Sequence, residues 1–345
     1  MKHVSLLFLC LTLPLFAIGC VPSGGGSGSG NTNGQDIATG SNADASGATD
    51  LVGVDSSSDD LGVAPEPDAG TPAPTSEPAA LKPFTGGNCP VLKAGPNSFT
   101  SGGMERSVYL HVPNEPAGAG VTFLWHGFGD TTQNFSSAFK AQQMSNEAHM
   151  IVVTPTPTVP VPLMGLDSWS FHNFGDTEAD LILFDDVLTC LNETFDINEK
   201  TVYTMGFSGG ALMSSKLLLE RSTNITAAVV FSGGTDVAGP DVLAIPYNTP
   251  GHKMPVLIAH GGPTDSWGGG PILVKFNEGC DDLAANLTAD GHPVILCDHS
   301  LGHTIPQGGV DWAWEFLRTA YWSEGESQWK GHSGAPFPNY CTFPQ

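Results

Sequence analysis

The chain has 345 residues and a formal net charge of −23, with 35 acidic residues against 12 basic ones. A surface of this sign repels phosphates, which argues against nucleic acid or an anionic membrane face as a partner. The charge carries no information about a small-molecule substrate, so the function has to be sought in the order of motifs along the chain.

The first residues have the pattern of an export signal. Lys2 precedes a largely apolar run from Val4 to Ile18, which is shorter than the roughly 20 residues of a spanning helix. Residues 1–19 are therefore predicted to be a signal peptide. A cysteine directly after Ala17-Ile18-Gly19 resembles the lipobox of bacterial lipoproteins, so we expect cleavage before Cys20 and lipid on its sulfur. Secretion with an unmodified Cys20 is the alternative.

The segment that follows has the composition of a linker. Residues 21–80 contain nine acidic residues and no lysine or arginine, and Gly, Ser, Ala, Thr, Asp and Pro dominate them. Such a segment cannot bury a core, so residues 20–80 are predicted to be a lipidated, disordered tether. Residues 81–345 are expected to form one catalytic domain, held to the membrane by the lipid alone.

Five of the seven cysteines lie in this domain, and export favours disulfides among them. An odd number leaves at least one thiol unpaired. Cys280 and Cys297 flank one helix-to-strand unit and are predicted to pair. A second link is expected to use two of Cys89, Cys190 and Cys341. No Cys-x-x-Cys spacing indicates a metal or redox site, and none is predicted.

Short apolar runs alternate with longer helix-like stretches through much of the domain. Strands are predicted over Arg106–Val112, Val121–Trp125, Met150–Thr154, Thr201–Met205, Ala227–Phe231, Pro255–His260 and Pro293–Cys297. Helices are predicted over Ala179–Leu191, Gly209–Arg221, Asp281–Asp290 and Val310–Trp322. This alternation predicts an α/β fold, a mostly parallel central sheet with helices on both faces. Functional groups should then follow the carboxyl ends of the strands.

One such strand end carries the motif Gly206-Phe207-Ser208-Gly209-Gly210, directly before a predicted helix. In a nucleophile elbow the serine sits on a sharp strand-to-helix turn, and glycines two residues before and after it avoid clashes. Gly206 and Gly210 meet that requirement. A glycine-rich turn with an idle serine is the structural alternative, which the strand-to-helix context disfavours. Ser208 is therefore the predicted nucleophile.

An attack by Ser208 would place negative charge on the former carbonyl oxygen, and two backbone N–H groups should stabilise it. The N–H of Gly209, directly after the nucleophile, is one candidate. The strand Val121–Trp125 ends in His126-Gly127-Phe128, and the N–H of Phe128 is the second candidate. We expect His126 to orient this loop by hydrogen bonding rather than to act as a base.

A serine hydroxyl needs a histidine to take its proton, and in this type of fold the chain order is serine, acid, histidine. His303 is preferred as the base because it lies on the loop that leads into the last helix. His299 is its rival, and a loop-shaping role is favoured for His260. Asp265 is the predicted acid, with Asp236 as its rival.

Together these motifs resemble the secreted polyhydroxybutyrate depolymerase and feruloyl esterase group of α/β-hydrolases, in a bacterial lipoprotein form. The matching pieces, in order, are Arg106 to Pro113, His126-Gly127, Val202 to Gly210, Ser232-Gly233-Gly234, His260-Gly261 and Gly302-His303-Thr304. The resemblance implies the α/β-hydrolase fold, ester hydrolysis, the triad Ser208, Asp265 and His303, and no cofactor. The sequence departs from the group in the spacing from His260 to Asp265, which is one residue longer than usual, and in Ile305, where the group often has tryptophan.

The sequence thus predicts an exported serine esterase that hydrolyses carboxylic esters through an acyl-enzyme. A polyester, a feruloyl or acetyl ester on a polysaccharide, or a small ester could be its substrate, and the sequence does not decide among them. The aromatic residues Trp169, Phe171 and Trp267 could line its acyl pocket, although large apolar side chains more often belong to the core. Two alternatives stay open. The same triad could serve a serine peptidase, or the chain could be an inactive surface binding lipoprotein.

Overall fold

A computed structural model describes residues 77–161, 166–171, 176–237, 245–269, 272–323 and 336–343. The predicted signal peptide, the lipidation of Cys20 and nearly all of the predicted tether lie outside the described residues. Residue Ala79 belongs to the folded body, because its N–H donates to Thr223 O at 2.8 Å and its carbonyl accepts from Asn224 Nδ2 at 2.7 Å. No helix in the described ranges is both long enough and apolar enough to cross a bilayer.

The helices and strands are named here in chain order. The strands are β1 (Gly95–Ser101), β2 (Met104–His111), β3 (Gly120–Trp125), β4 (Met150–Pro155), β5 (Val159–Val161), β6 (Leu166–Ser168), β7 (Val202–Phe207), β8 (Ala227–Phe231), β9 (Val256–His260), β10 (Ser266–Gly269), β11 (Ile272–Lys275), β12 (Val294–Asp298) and β13 (Cys341–Thr342). The helices are α1 (Thr132–Ala138), α2 (Ala141–Glu147), α3 (Ala179–Phe195), α4 (Gly209–Glu220), α5 (Phe276–Ala289) and α6 (Gly309–Thr319).

Nine of the described strands form one sheet in the order β1-β2-β4-β3-β7-β8-β9-β12-β13. The six strands from β4 to β12 in this order pair in parallel, whereas β1, β2 and β13 pair antiparallel at the two edges. The predicted α/β architecture with a mostly parallel sheet is therefore confirmed. Two small antiparallel pairs, β5 with β6 and β10 with β11, lie outside this sheet.

Helices cover both faces of the sheet because the central strands carry apolar side chains on both sides. Every residue of β3, β4, β8 and β9 is buried. Side chains of β3 alternate, so that Phe123 and Trp125 join a core with α3, α4 and α5, while Leu124 joins a second core with α1, α2 and α6. Burial on both faces is what a central parallel strand requires.

The seven predicted strands and four predicted helices are all present, with ends shifted by a few residues. The largest shift is in α5, which begins at Phe276, five residues before the predicted start. Sequence reasoning missed β1, α1 and α2, the two small strand pairs and β13. These are short, exposed or edge elements, where the apolar pattern that identifies buried elements is weak.

The structure corrects the predicted disulfide between Cys280 and Cys297. Cys297 pairs with Cys341 across β12 and β13, and Cys280 is a buried free thiol. The physical reason is that the two sulfurs lie on opposite faces of the sheet, since Cys280 belongs to the core under α5 and Cys297 to the core under α6. A second disulfide joins Cys89 to Cys190, both within the set expected to form it.

Candidate active site

Ser208 lies on the turn between β7 and α4, and its backbone has φ 57° and ψ −124°. This conformation is costly for a residue with a side chain, and it persists where the surrounding structure enforces it. The neighbouring glycines explain how the turn fits. A methyl group on Gly206 would lie 2.2 Å from the carbonyl oxygen of Gly210, and one on Gly210 would lie 2.0 Å from the carbonyl oxygen of Trp125. Both positions therefore require glycine.

The structure brings His303 against this serine, as the sequence analysis expected. Nε2 of His303 is 2.9 Å from the Ser208 hydroxyl oxygen, although 95 residues separate the two in the chain. The imidazole ring stacks between two phenylalanines, with ring centroids 4.8 Å from Phe207 and 4.5 Å from Phe276. Packing between two phenyl rings fixes the plane of the imidazole, and both ring nitrogens can form hydrogen bonds within that plane.

Asp265 completes the arrangement from the opposite side of the imidazole. Its Oδ1 is 2.7 Å from His303 Nδ1, and the carboxylate is fully buried. Its Oδ2 accepts two further hydrogen bonds, from the Ser232 hydroxyl at 2.7 Å and from the Gly261 N–H at 2.8 Å. A buried carboxylate with all these donors is held in one orientation.

The rivals of these residues lie elsewhere. Asp236 is exposed, and no contact with a histidine involves it among the described residues. His260 accepts from the Gly262 N–H through Nδ1 at 3.1 Å, which fits the loop-shaping role expected for it. His299 accepts from the Leu301 N–H at 3.3 Å, and burial lowers the pKa of its imidazole. Neither histidine touches Ser208.

Two backbone N–H groups lie near Ser208. Gly209 is the first residue of α4, so its N–H is one of the helix-start donors without an intrahelical partner. A methyl group on Gly209 would lie 3.6 Å from the backbone nitrogen of Phe128, so this nitrogen lies close to Gly209. Within the part of the chain that the structure describes, the Phe128 N–H donates to no protein acceptor. The positive end of the α4 dipole adds to the favourable potential for an anion here.

His126 supports the loop that carries Phe128. It is 3% exposed, and its Nδ1 lies 3.0 Å from the carbonyl oxygen of Gly127. Burial lowers the pKa of its imidazole, which keeps it neutral near pH 7. A neutral, buried histidine bonded to the adjacent backbone fits the orienting role expected for it.

The three aromatic residues proposed for an acyl pocket fall in different environments. Trp169 is a core residue, 1% exposed. Phe171 is 9% exposed, and its ring would lie 3.7 Å from a methyl group on Gly209. Trp267, on β10, is 36% exposed and packs against the Phe128 ring with centroids 5.8 Å apart. Of the three, Phe171 therefore lies next to Gly209 and Trp267 next to Phe128.

Sequence reasoning did not predict the contacts that three residues make around the site. Ser232 lies in the Ser-Gly-Gly motif after β8 and donates to the buried acid. Phe276 stacks on the imidazole, and Trp169 contacts the oxyanion loop. The position of Ser232 at a strand end was a usable signal, whereas nothing in the local sequence of Phe276 or Trp169 indicates these contacts.

Comparison with known proteins reveals similarity in structure only. No protein-family model and no curated protein matches the chain. A solved complex of a serine-to-alanine variant of a protein named pOPH with pNPB has 17% identity and a TM-score of 0.60, and the match covers 74% of this chain and 96% of that one. Native sOPH has 17% identity and a TM-score of 0.59, with the same coverage of both chains. The carboxylesterase of Bacillus cereus has 16% identity and a TM-score of 0.47, over 63% of this chain and 95% of that one.

At these identities the similarity concerns the fold. It agrees with the mostly parallel central sheet and the helices that flank it. The chain has the α/β-hydrolase fold.

Proposed function

We propose that this protein is a serine ester hydrolase that forms an acyl-enzyme on Ser208. The observation that carries the proposal is the continuous hydrogen-bonded row from Ser208 through His303 to Asp265, at 2.9 and 2.7 Å. A nucleophile, a base and an orienting acid within hydrogen-bond reach of each other are the arrangement that activates a serine.

The proposed reaction has two halves. His303 Nε2 takes the hydroxyl proton as Ser208 Oγ attacks the ester carbonyl, and the N–H groups of Gly209 and Phe128 stabilise the resulting oxyanion. Collapse of this intermediate expels the alcohol, which receives the proton from His303. Water then attacks the acyl-enzyme with His303 again as the base, which releases the acid and restores Ser208. Asp265 keeps the Nδ1 proton in place throughout, so that Nε2 is free to accept.

An ester with an apolar acyl or alcohol part fits the surroundings of Ser208 best. Phe171 lies next to Gly209, directly after the serine, and the half-buried ring of Phe128 packs against Trp267. The resemblance to the polyhydroxybutyrate depolymerase and feruloyl esterase group points the same way, toward a polyester or a feruloyl or acetyl ester on a polysaccharide. A variant of pOPH, a protein with a similar fold, is known in complex with the small ligand pNPB.

Labelling with a fluorophosphonate tests the proposal, because the probe requires an activated serine. We expect labelling of the wild type and none of Ser208→Ala, in which kcat on a p-nitrophenyl ester should fall by about 10⁶ with folding intact. Ser214→Ala is the matched control, since Ser214 is a buried serine on α4, the helix that follows Ser208, and its hydroxyl is bonded to Thr204 at 3.1 Å. Turnover by Ser208→Ala at the wild-type rate would overturn the proposal.

The same assay separates the two alternatives. A serine peptidase would also cleave aminoacyl anilides, which an esterase leaves intact, and an inactive binding lipoprotein would neither turn over esters nor take the label. We expect ester cleavage to dominate.

We further propose that the protein is exported and held to the cell envelope by lipid on Cys20, with residues 20–80 as a tether and 81–345 as the catalytic domain. Two disulfides support export, because such bonds form in oxidising compartments. Cys20→Ser should release the protein from membranes into the medium. A wild type that is already soluble in the medium would contradict the lipid anchor.

A further inference from the structure

Trp169 is joined directly to the loop that carries the proposed oxyanion donor. Its indole Nε1–H donates to the carbonyl oxygen of His126 at 2.8 Å. The indole also packs edge-on against the rings of Trp125 and His126, each with a centroid separation of 5.0 Å. Phe128, whose backbone nitrogen would lie 3.6 Å from a methyl group on Gly209, follows only two residues after this carbonyl. The position of the donor therefore depends on a strand end that Trp169 contacts through both a hydrogen bond and its ring.

The first turn of α4 confines this strand end from another direction. A methyl group on Gly210 would lie 2.0 Å from the carbonyl oxygen of Trp125 and 2.7 Å from that of His126. The elbow backbone thus touches the end of β3 without any side chain between them. The loop that carries Phe128 begins at this strand end, which both the elbow backbone and Trp169 contact.

Trp169 is itself held by a buried polar network. The N–H of Ser170 donates to Asp180 Oδ2 at 2.6 Å, and the N–H of Asp180 donates back to the Ser170 hydroxyl oxygen at 3.0 Å. Arg106 forms an ion pair with Asp180 Oδ1 and donates to the carbonyl of Ala179 at 3.1 Å. Arg106, Ser170 and Asp180 are all fully buried.

A buried network of this kind has a fixed geometry. Its charges are out of water, so each lost contact leaves a desolvated group without compensation. The segment after β6 is therefore attached to β2 and to the start of α3 by contacts that do not tolerate displacement.

We propose that Trp169 is a positioning residue that sets the Phe128 N–H in the oxyanion hole, with the Arg106–Asp180 ion pair as its support. This inference rests on the proposed function. Stabilisation of an oxyanion depends on donors that are already in place before charge develops, and a shift of a few tenths of an ångström weakens it. Trp169 thus affects the transition state without touching substrate.

Trp169→Phe tests this role, because phenylalanine keeps an aromatic ring and removes the N–H donor. We expect kcat on a p-nitrophenyl ester to fall about tenfold with KM within about twofold, less than the roughly 10²–10³ for loss of a whole oxyanion donor. The affinity for phenylboronic acid, which adds to Ser208 and places an oxygen in the oxyanion hole, should fall by a similar factor.

Trp314→Phe is the matched control. Trp314 is also a buried tryptophan whose Nε1–H donates to a backbone carbonyl, that of Phe139, at 2.7 Å, but it belongs to the core on the other face of the sheet. It should lose comparable stability and keep the wild-type kcat and boronate affinity. Ser170→Ala is a smaller change that removes only the hydroxyl bonded to Asp180, and it should lower both quantities about threefold.

The inference is overturned if Trp169→Phe and Ser170→Ala keep the wild-type kcat, or if kcat falls while boronate affinity does not change. If Trp169→Phe does not fold, Ser170→Ala decides the outcome. Failure of the proposed function gives a different result, in which the wild type and Ser208→Ala hydrolyse esters equally, and this inference then falls with it.

Discussion

Replacing Asp265 by asparagine would convert one oxygen of a fully buried carboxylate into an amide nitrogen with little change of shape. The surrounding contacts decide which oxygen is replaced. Oδ2 accepts from the Ser232 hydroxyl and from the Gly261 N–H, so that site requires an acceptor. Turning the amide the other way would leave two buried donors unsatisfied, at about 1–3 kcal/mol each. The amide nitrogen therefore faces His303.

This orientation determines the tautomer of His303. An amide N–H pointing at Nδ1 requires a lone pair there, which moves the imidazole proton to Nε2, opposite the Ser208 hydroxyl. A protonated Nε2 cannot accept the serine proton. We therefore expect kcat to fall by about 10⁴, the loss known for this change in a serine protease triad, which corresponds to about 5.5 kcal/mol of barrier.

The assay is steady-state hydrolysis of one chromogenic ester, with folding checked by circular dichroism. Asp236→Asn is the control, because Asp236 is exposed and its φ of 44° lies in the left-handed region that asparagine tolerates. We expect it to retain the wild-type kcat. The reasoning is refuted if Asp265→Asn keeps more than about a tenth of the wild-type kcat, or if Asp236→Asn is the impaired variant.

Three further predictions concern stability and covalent structure. Gly210→Ala should destabilise the protein by about 3 kcal/mol or more in urea unfolding, because the methyl would lie 2.0 Å from a carbonyl oxygen of β3. The control Gly269→Ala should be nearly neutral, because a methyl there would have no atom within 4 Å. Equal effects of the two substitutions would contradict this account. Peptide mapping without reductant should find Cys341 bonded to Cys297. Cys280 should be a free thiol that is alkylated only after unfolding, because burial raises the pKa of this thiol. Rapid alkylation of Cys280 in the native protein would contradict this prediction. Burial lowers the pKa of His292 from 6.5 to about 4, so the unfolded chain binds more protons between these pH values. Protonation of His292 therefore does not affect stability above about pH 6.5, and it lowers the free energy of unfolding by about 3 kcal/mol as the pH falls to 4. His292→Asn should lose less unfolding free energy than the wild type between pH 7 and pH 4. An equal loss in both proteins would exclude this cause.

The sequence by itself determined the order of the buried elements and the position of the strand-to-helix turn that carries Ser208. Strands such as β3 and β8 are apolar throughout, because a central parallel strand is covered on both faces, and this pattern is visible in a short window of residues. The elbow is visible for a similar reason, since the backbone conformation of Ser208 requires glycines at fixed positions on either side.

The tertiary structure decided everything that depends on which side of the sheet a side chain occupies and on contacts between distant segments. Cys280 and Cys297 are close in sequence, yet alternation along β12 directs Cys297 to the opposite face, where Cys341 lies on the next strand. The contact of His303 with Asp265 rather than Asp236 is a hydrogen bond that spans 38 residues. The contact of Trp169 with His126 spans 43 residues. Such contacts follow from the packing of whole elements, and a local pattern of residue types does not contain that information.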